Sequence, residues 1–454
     1  ILLFVFSPVA KAVPPAAAPL RLPPDPTCFV GRERELDTLA ERLAQPDCRL
    51  VTLVGPGGIG KTRLALEAAA EQRGAYRDGI YFVPLAAVGA PEEVPRAIAA
   101  ALGFPFRGPA SPGQQLGDYL QHKEMLLVLD NMEHLLGGSA YLGQVLRQAP
   151  QIVLLVASRE RLDLREEWVY EVEGLSCPAT TGRTTADSGD ALELFSRRAA
   201  QADQRFALSA EDWPHVARIC QLVQGMPLAI ELAAAAVRTR SCQAVAAELA
   251  GSLNILATTL RNVPARHRSM HAALEHSWRL LTTGEREILA RLSVFRGGFT
   301  AQVGQEVGGA APGMLERLAS KSLLRVAGER FGMHELLRQY GAEKLAAAPD
   351  LCARTNDLHC SYYAGWLQGL HEVLHGPDPA PAVRWVQAEL ENLRAAWQWA
   401  LEKQRWAEIG RALDGVVYFY RLQGPLGEAQ SLLAAALAAA AEQDRCASGA
   451  AVDP

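Results

Sequence analysis

The chain has 454 residues and a formal net charge of −5, with 45 Lys and Arg residues against 50 Asp and Glu residues. Hydrophobic residues make up 49% and charged residues 21%, which excludes a disordered or collagen-like polymer. This near-balance of charge provides no global field for holding nucleic acid or an acidic membrane. At roughly 150 residues per domain, we expect about three domains.

Residues 1–26 are predicted to be a Pro-rich linker or a truncated N-terminal segment. Prolines stand at positions 14, 15, 19, 23, 24 and 26, which favours an extended chain. The apolar start has no Met and no basic residues before it, which favours truncation over a signal peptide. No apolar run approaches the roughly 20 residues of a membrane-spanning helix. We therefore expect no membrane contact. The eight cysteines contain no C-x-x-C pair, so we also expect a cytoplasmic protein with reduced thiols.

Apolar runs that resemble strands alternate with helical patterns over residues 27–175. The runs are Arg49–Val54, Ile80–Pro84, Met125–Asp130, Ile152–Ala157 and Trp168–Val172. Helical patterns lie between them, near 91–102, 112–121 and 138–148. This alternation predicts an α/β domain whose parallel sheet is covered by helices on both faces.

Beyond a polar, aperiodic stretch at 176–190, the pattern becomes almost entirely helical. An all-α helical subdomain is predicted over 190–260. Helices followed by a short apolar pair near 323–333 predict a winged-helix domain over 261–345. Aromatic residues among alanine-rich helices over 353–454 predict tetratricopeptide-like (TPR-like) repeats, with an ordinary closing bundle as the alternative. Because a repeat array needs about three units and a cap, we expect this array to be truncated.

The segment Gly55–Thr62 fits the phosphate-binding loop pattern G-x-x-x-x-G-K-[ST], the P-loop, without a gap. Glycines let backbone N–H groups surround phosphate oxygens at a helix N-terminus. Lys61 is predicted to reach the β- and γ-phosphates, and Thr62 to place its hydroxyl on Mg²⁺. The other predicted nucleotide-binding residues here are Gly55, Pro56, Gly57, Gly58, Ile59, Gly60 and Arg63. The alternative is a glycine-rich turn that binds nothing.

Two further strand ends are predicted to complete the site. Asp130 ends an apolar strand, the arrangement that holds Mg²⁺ in P-loop nucleotidases. Asn131 follows where many fast ATPases place a water-activating glutamate, and an amide cannot accept a proton. Glu133 and His134 are nearby substitutes, so we expect the slow hydrolysis of a switch. Arg159 ends another strand, from which it either senses the γ-phosphate or lies on the surface.

Five motifs follow one another along the chain: Val30-Gly31-Arg32, the P-loop, Leu129-Asp130-Asn131, Ala157-Ser158-Arg159 and Gly225-Met226-Pro227. That order resembles the STAND signalling ATPases, whose nucleotide module is called NB-ARC. The chain resembles the AfsR-like bacterial regulators of that family, strongly over 27–345 and more loosely over 353–445.

The resemblance implies roles for particular residues. Val30-Gly31-Arg32 matches the segment that wraps the adenine, and Pro227 matches the proline that packs on the base. Arg159 matches the arginine that senses the terminal phosphate. His334 matches a histidine that contacts the ADP phosphates and locks the resting state, although Glu335 replaces the Asp that the family carries.

The resemblance also implies a function. ADP would hold a closed form, exchange for ATP would permit self-association, and slow hydrolysis would reset a transcriptional or other regulator. The implied cofactors are ATP, ADP and Mg²⁺, and the C-terminal helices are the implied surface for a protein or small-molecule ligand. An AAA+-like motor is the alternative, and it calls for an acid at position 131 and a hexamer.

The region predicted to be a winged helix has no clear nucleic-acid surface. Arg261, Arg266 and Arg268 precede its first helix, but no basic face interleaved with aromatic residues follows them. We therefore expect no direct contact with nucleic acid from this part of the chain.

The segment His371–His375 matches H-E-x-x-H, the signature of a zinc-peptidase helix. Gly376-Pro377 breaks the helix at once, and the nearest candidates for a third ligand in the sequence are Glu389 and Glu391. A zinc peptidase is therefore a remote alternative.

Overall fold

The computed structural model describes residues 19–23, 29–178, 189–257 and 269–423, together with 430, 432–438 and 440. The chain divides into two compact units. The first contains Ile1–Gln201 and Gly225–Glu231, and the second contains Ala202–Gln224 and Leu232–Pro454. Across the described ranges, no helix combines the length and the apolar character needed to span a membrane.

The first unit consists of strands alternating with helices. In chain order they are β1 (Leu20–Arg21), α1 (Glu33–Leu43), β2 (Leu50–Val54), α2 (Lys61–Glu71), β3 (Ile80–Pro84), α3 (Val94–Leu102), α4 (Pro112–Leu120), β4 (Met125–Asp130), α5 (Ser139–Gln148), β5 (Ile152–Ser158), β6 (Glu167–Glu171) and α6 (Gly189–Ala202). The five strands expected from the sequence are confirmed to within one residue at each end.

The strands form one parallel sheet in the order β1-β3-β4-β5-β2-β6. Its central strands β2 and β4 are buried along their whole length, which explains their continuous runs of Val and Leu. Leu127 and Leu129 pack with α3, α4 and α5 on one face, whereas Val51 and Leu53 pack with α1 and α2 on the other. The predicted α/β core is therefore confirmed.

The sheet contains one strand that the sequence did not predict. Leu20 and Arg21 pair in parallel with Ile80 and Tyr81, and Ile80 N donates a hydrogen bond to the Pro19 carbonyl at 2.8 Å. These two residues of the segment predicted to be a linker or a truncated N-terminal segment therefore form an edge strand of the sheet. A proline carbonyl can accept a ladder hydrogen bond although its nitrogen cannot donate one, and this suits a short edge strand.

The order of the strands places three predicted site segments at one edge. The P-loop strand β2 lies between β5 and β6, and β4 lies on the other side of β5. Asp130 pairs with Ala157, which also pairs with Leu53. Because the carboxyl ends of parallel strands meet at one edge of a sheet, the loops after β2, β4 and β5 converge there.

The second unit is mostly helical. Its elements are α7 (Trp213–Leu222), α8 (Pro227–Ala236, whose first residues belong to the first unit), α9 (Cys242–Gly251), α10 (Met270–Arg279), α11 (Thr283–Leu292), β7 (Phe299–Thr300), α12 (Ala301–Glu306), α13 (Met314–Ser320), β8 (Arg325–Ala327), β9 (Arg330–Gly332), α14 (Glu335–Ala346), α15 (Pro349–Gly369), α16 (His371–Leu374), α17 (Ala380–Ala388), α18 (Leu390–Glu402) and α19 (Trp406–Gln423). The predicted α/β core followed by a helical region is thus confirmed.

A small antiparallel sheet interrupts these helices, with the order β7-β9-β8. The predicted hairpin is its β8–β9 pair, in which Val326 lies opposite Phe331. Strand β7 and helix α12 were not predicted, because a two-residue strand leaves no detectable period in the sequence. Arg261, Arg266 and Arg268 lie outside the described residues.

Candidate nucleotide-binding site

The P-loop between β2 and α2 adopts a conformation that depends on its glycines. Gly58 and Gly60 have φ values of 87° and 96°, in the left-handed region that glycine adopts without strain. Among the described residues, no side chain caps the N-terminus of α2 at Gly60. The first N–H groups of α2 are therefore arranged as they are where a helix N-terminus binds a phosphate.

Lys61 folds back over this loop. Its Nζ donates hydrogen bonds to the carbonyls of Gly55 at 2.6 Å and Pro56 at 3.0 Å. Burial lowers the pKa of Lys61 to about 8, although nearby Glu133 and Asp130 oppose the shift. A buried ammonium held mainly by neutral carbonyls fits a pocket for anionic phosphate oxygens, because such a ligand would offset the cost of its desolvation.

Thr62 and Asp130 meet at the same edge of the sheet. The Thr62 hydroxyl donates to Asp130 Oδ1 at 2.6 Å, and the Asp130 side chain is mostly buried. A hydroxyl and a carboxylate are the hard oxygen ligands that Mg²⁺ prefers. The donor set therefore fits the ion that the sequence pattern predicts.

Asn131 is fixed by its neighbours. It has a φ of 68°, and its Nδ2 lies 3.2 Å from His134 Nδ1. His134 Nε2 lies 3.0 Å from the Val88 carbonyl, which can only accept, so Nε2 donates and Nδ1 accepts from Asn131. His134 thus orients the amide, and the position after Asp130 carries no acid.

Arg159 lies against the P-loop and is paired with Glu133. Arg159 Nε is 2.9 Å from Glu133 Oε1, and both side chains are nearly buried. A Cβ built on Gly57 would lie 3.0 Å from Arg159 Nη2, so the guanidinium covers that glycine. Of the two predicted positions for Arg159, the structure shows the one beside the P-loop. The role of Glu133 as a base stays a prediction, and its carboxylate is engaged by Arg159 in this form.

The buried Arg32 side chain forms hydrogen bonds that hold the P-loop backbone in place. Its Nη2 donates to the carbonyls of Ile59 at 2.8 Å and Glu173 at 2.9 Å, and Nη1 bonds Glu35. Burial lowers the pKa of Arg32, which its charged neighbours partly oppose. The Arg32 guanidinium is therefore occupied by main-chain carbonyls, and the adenine contact of Val30-Gly31-Arg32 stays a prediction.

Glycine is required at the neighbouring position 31. Gly31 has a φ of 66°, and a Cβ added there would collide with the side chain of Asp190. This close approach brings the start of α6 to the Val30-Gly31-Arg32 segment.

The segment containing Pro227 also reaches the P-loop. Leu228 N donates to the Gly58 carbonyl at 3.2 Å, and Pro227 Cγ lies 3.7 Å from a Cβ built on Gly60. Gly225, with a φ of 68°, accepts a hydrogen bond from Leu175 N at 2.8 Å, which closes the turn before α8.

The sequence reasoning missed Glu231. Its Oε1 lies 3.4 Å from Arg63 Nη1 and 2.9 Å from Arg198 Nη2. Arg63, predicted to bind nucleotide, is thus held by a carboxylate and also lies over the Phe29 ring. The signal in the sequence was a lone acid in the otherwise apolar helix Pro227–Ala236.

His334 belongs to the second unit. It is buried at the start of α14, where its Nδ1 accepts a hydrogen bond from Leu336 N at 3.2 Å. Burial lowers its pKa to about 3, so the imidazole is neutral near pH 7. Its predicted contact with ADP stays a prediction.

Comparison with known families and curated proteins agrees with this geometry. Residues 28–213 match the family described as "AAA ATPase domain". The "Putative HTH-type transcriptional regulator Rv0890c" of Mycobacterium tuberculosis is 33% identical over 367 residues, which are 78% of this chain and 40% of that protein. The chain thus matches well under half the length of that relative.

A second mycobacterial relative matches over most of its own length. The "Uncharacterized protein Rv0894" of Mycobacterium tuberculosis is 34% identical over 333 residues, covering 70% of this chain and 82% of that protein. Among solved structures, a STAND protein with a tetratricopeptide repeat sensor from Pyrococcus horikoshii covers 89% of this chain and 59% of its own, at 15% identity. The TM-score of that match is 0.32. The chain therefore belongs to the family of Rv0894 and has an AAA ATPase domain at residues 28–213, which implies nucleotide binding.

Proposed function

We propose that this chain is an ATP- and ADP-binding signalling switch of the STAND class, with slow ATP hydrolysis. One observation carries the proposal: Lys61, the Thr62–Asp130 pair and Arg159 converge on the P-loop from three different strand ends. A lysine, a magnesium-type oxygen pair and an arginine are the groups that phosphoryl chemistry uses to neutralise charge.

Each group has a separate task in this proposal. The N–H groups of Gly58–Thr62 would hold the β-phosphate, and Lys61 would leave its two carbonyls for the β- and γ-phosphate oxygens. Thr62 and Asp130 would hold Mg²⁺, which supplies positive charge to the phosphates when it is bound. Arg159 would break its pairing with Glu133 and form a new one with the γ-phosphate.

Slow hydrolysis follows from the surroundings of Asp130. Asn131 cannot take a proton from water, and its amide is held by His134. Glu133 is engaged by Arg159 rather than positioned as an unpaired base. These contacts favour a switch over an AAA+-like motor, because a motor needs a general base that is ready in every cycle.

The remaining elements support an NB-ARC-like arrangement. Pro227 lies beside Gly60, where it would cover the base of the nucleotide. The order of α11, β7, α12, α13, β8 and β9 supports a winged-helix domain in this proposal, and the succession of helices α15–α19 supports TPR-like repeats. In this reading, the winged-helix domain would present His334 to ADP and hold the resting state.

The output that we propose is the control of transcription. Its support is the likeness to Rv0890c, which is described as a "Putative HTH-type transcriptional regulator" and which this chain matches over 40% of that protein's length. We propose no direct nucleic-acid contact from the described residues, and a protein or small molecule acting on the C-terminal helices as the signal.

The decisive test is nucleotide binding by the Lys61→Ala variant. We expect it to lose ATP and ADP binding in calorimetric titration, because the alanine removes the only lysine that the described P-loop offers to the phosphates. Lys403→Ala, which removes an exposed lysine stacked on Trp399, should bind as the wild type does. Unchanged ATP affinity in Lys61→Ala would refute the proposal.

A further inference from the structure

Helices α16 and α19 bring three side chains with metal-ligand chemistry together. His371 Nδ1 and His375 Nε2 lie 2.8 and 2.9 Å from the same oxygen, Asp414 Oδ2. One ligand atom from each of the three residues falls within 4.8 Å of the others. The H-E-x-x-H spacing predicted the two histidines, whereas Asp414 comes 39 residues after the second one and could not be found from the sequence.

The nearest candidates in the sequence for a third ligand are engaged elsewhere. Glu389 accepts hydrogen bonds from Tyr363 at 2.9 Å and Asn392 at 2.7 Å, and Glu391 pairs with Arg394. Asp414, rather than either glutamate, lies beside the two histidines.

The three side chains are held in place before any ion binds. His375 N donates to the His371 carbonyl at 3.0 Å, so one helical turn carries both rings on one face despite the following Gly376-Pro377. The His375 ring lies against the Tyr418 ring, with centroids 3.9 Å apart and planes inclined by 39°. Tyr418 follows Asp414 by one turn of α19 and therefore lies on the same face of that helix.

The hydrogen bonds identify which nitrogen of each imidazole faces the cluster. A carboxylate only accepts, so both imidazoles donate an N–H to Asp414. Both histidine protons can move to the outer ring nitrogens, which would leave two lone pairs directed at the same centre.

We infer that His371, His375 and Asp414 form a binding site for a divalent transition metal ion of the zinc class. Two imidazoles and one carboxylate form a ligand set used for Zn²⁺ and related ions. Bonds of 2.0–2.2 Å in a tetrahedron place ligand atoms about 3.3 Å apart. Each nitrogen would therefore move about 0.5 Å away from Asp414 Oδ2, and the distance between the two nitrogens, which is at most 4.8 Å, would adjust to the same value. Such small shifts are available to side chains that are exposed on one side.

The site leaves at least one coordination position open to water. It faces a crevice of about 480 Å³, which is also lined by Glu372 and Arg411. Arg411 is paired with Glu408 at 3.3 Å, which reduces its repulsion of a cation. A bound ion would tie α16 to α19 and stabilise the helical region.

The test is a titration of the tag-free full chain with Co²⁺, followed by its visible d–d absorption and by competition with Zn²⁺. We expect one ion per chain, displaced by Zn²⁺, and a rise in the thermal midpoint of the wild type on adding Zn²⁺. Asp414→Asn and His375→Ala should each lose the absorption band and the thermal shift. The three ligands are substantially exposed, so circular dichroism of the variants without metal should match the wild type.

Two controls separate the site from general histidine binding. His122→Ala removes an exposed histidine elsewhere, and Glu372→Gln alters the crevice without removing a ligand; both should bind one ion. Wild-type chain that takes up no more Co²⁺ than His375→Ala, or Asp414→Asn that binds with unchanged stoichiometry and affinity, would overturn the inference.

Discussion

At the scale of single residues, the pairing of Arg159 with Glu133 decides how the site could respond to nucleotide. Two nearly buried charges stabilise each other, since either alone would bear a large desolvation cost. The guanidinium lies over Gly57, within the P-loop that would bind the phosphates of ATP. A phosphate that attracts Arg159 would release Glu133 at the same time, which links the sensing of ATP to the freeing of a carboxylate.

The Arg159→Ala variant tests this link. We expect ATP affinity to fall by about tenfold or more, because a charge-assisted hydrogen bond to the γ-phosphate is lost. ADP affinity should change little, since ADP lacks that phosphate. Calorimetric titration with each nucleotide measures both effects, and Arg161→Ala, which removes an exposed arginine paired with Glu171, is the matched control. Equal losses for ATP and ADP would contradict a sensing role.

At the scale of elements, α15 carries a histidine that the sequence pattern did not single out. His359 is fully buried, with its ring centroid 5.4 Å from that of Phe295 and 4.8 Å from that of Tyr363. Burial lowers its pKa to about 3, although a hydrogen bond with Asn392 opposes the shift. Together with His334, it makes the helical unit sensitive to acid.

The sign of the pH effect follows from proton uptake. The unfolded chain protonates its histidines near pH 6.5. The folded chain does so only near pH 3. The stability that these residues contribute is therefore complete above about pH 6.5 and falls as the pH drops toward 3, by up to about 1.4 kcal/mol per pH unit for each histidine.

His359→Phe should flatten this dependence by about half, because one of the two buried imidazoles is removed. The planar ring of phenylalanine can take the place of the imidazole between Phe295 and Tyr363. The slope of the unfolding free energy against pH reports the loss of the titrating group even if the variant has a different stability at neutral pH. Urea unfolding between about pH 6.5 and about pH 5 gives the slope. His122→Phe, at an exposed position, should leave the slope as in the wild type, and an unaltered slope in His359→Phe would refute the prediction.

At the scale of the whole molecule, the proposed switch requires each nucleotide to favour its own state. A ligand shifts such an equilibrium only by its differential affinity for the two states. We expect the ATP-bound chain to self-associate and the ADP-bound chain to remain monomeric, with turnover below about 1 s⁻¹, under the typical enzyme range. Size-exclusion chromatography with light scattering and a phosphate-release assay measure these properties.

Lys61→Ala serves as the control for this experiment, because it should not respond to either nucleotide. A hexamer in every nucleotide state, or turnover well above about 1 s⁻¹, would favour the motor alternative.

Much of the first unit could be predicted from the sequence because its signals are local. The P-loop needs glycines at fixed spacing in one short segment, and Asp130 and Arg159 end strands whose apolar runs are unmistakable. Element types follow from such patterns, whereas two-residue strands such as β1 and β7 do not, since they are too short to show a period.

The sequence by itself determined the parallel α/β core, the phosphate-binding loop and the helical region that follows. Only the tertiary structure decided which side chains meet: Arg32 with the Ile59 carbonyl, Arg159 with Glu133, and Asp414 with two histidines. The physical reason is that backbone conformation depends on near neighbours in the chain, whereas these partners depend on how separate elements pack. Charged groups far apart in sequence become partners only when the packing of separate elements brings them within reach of each other.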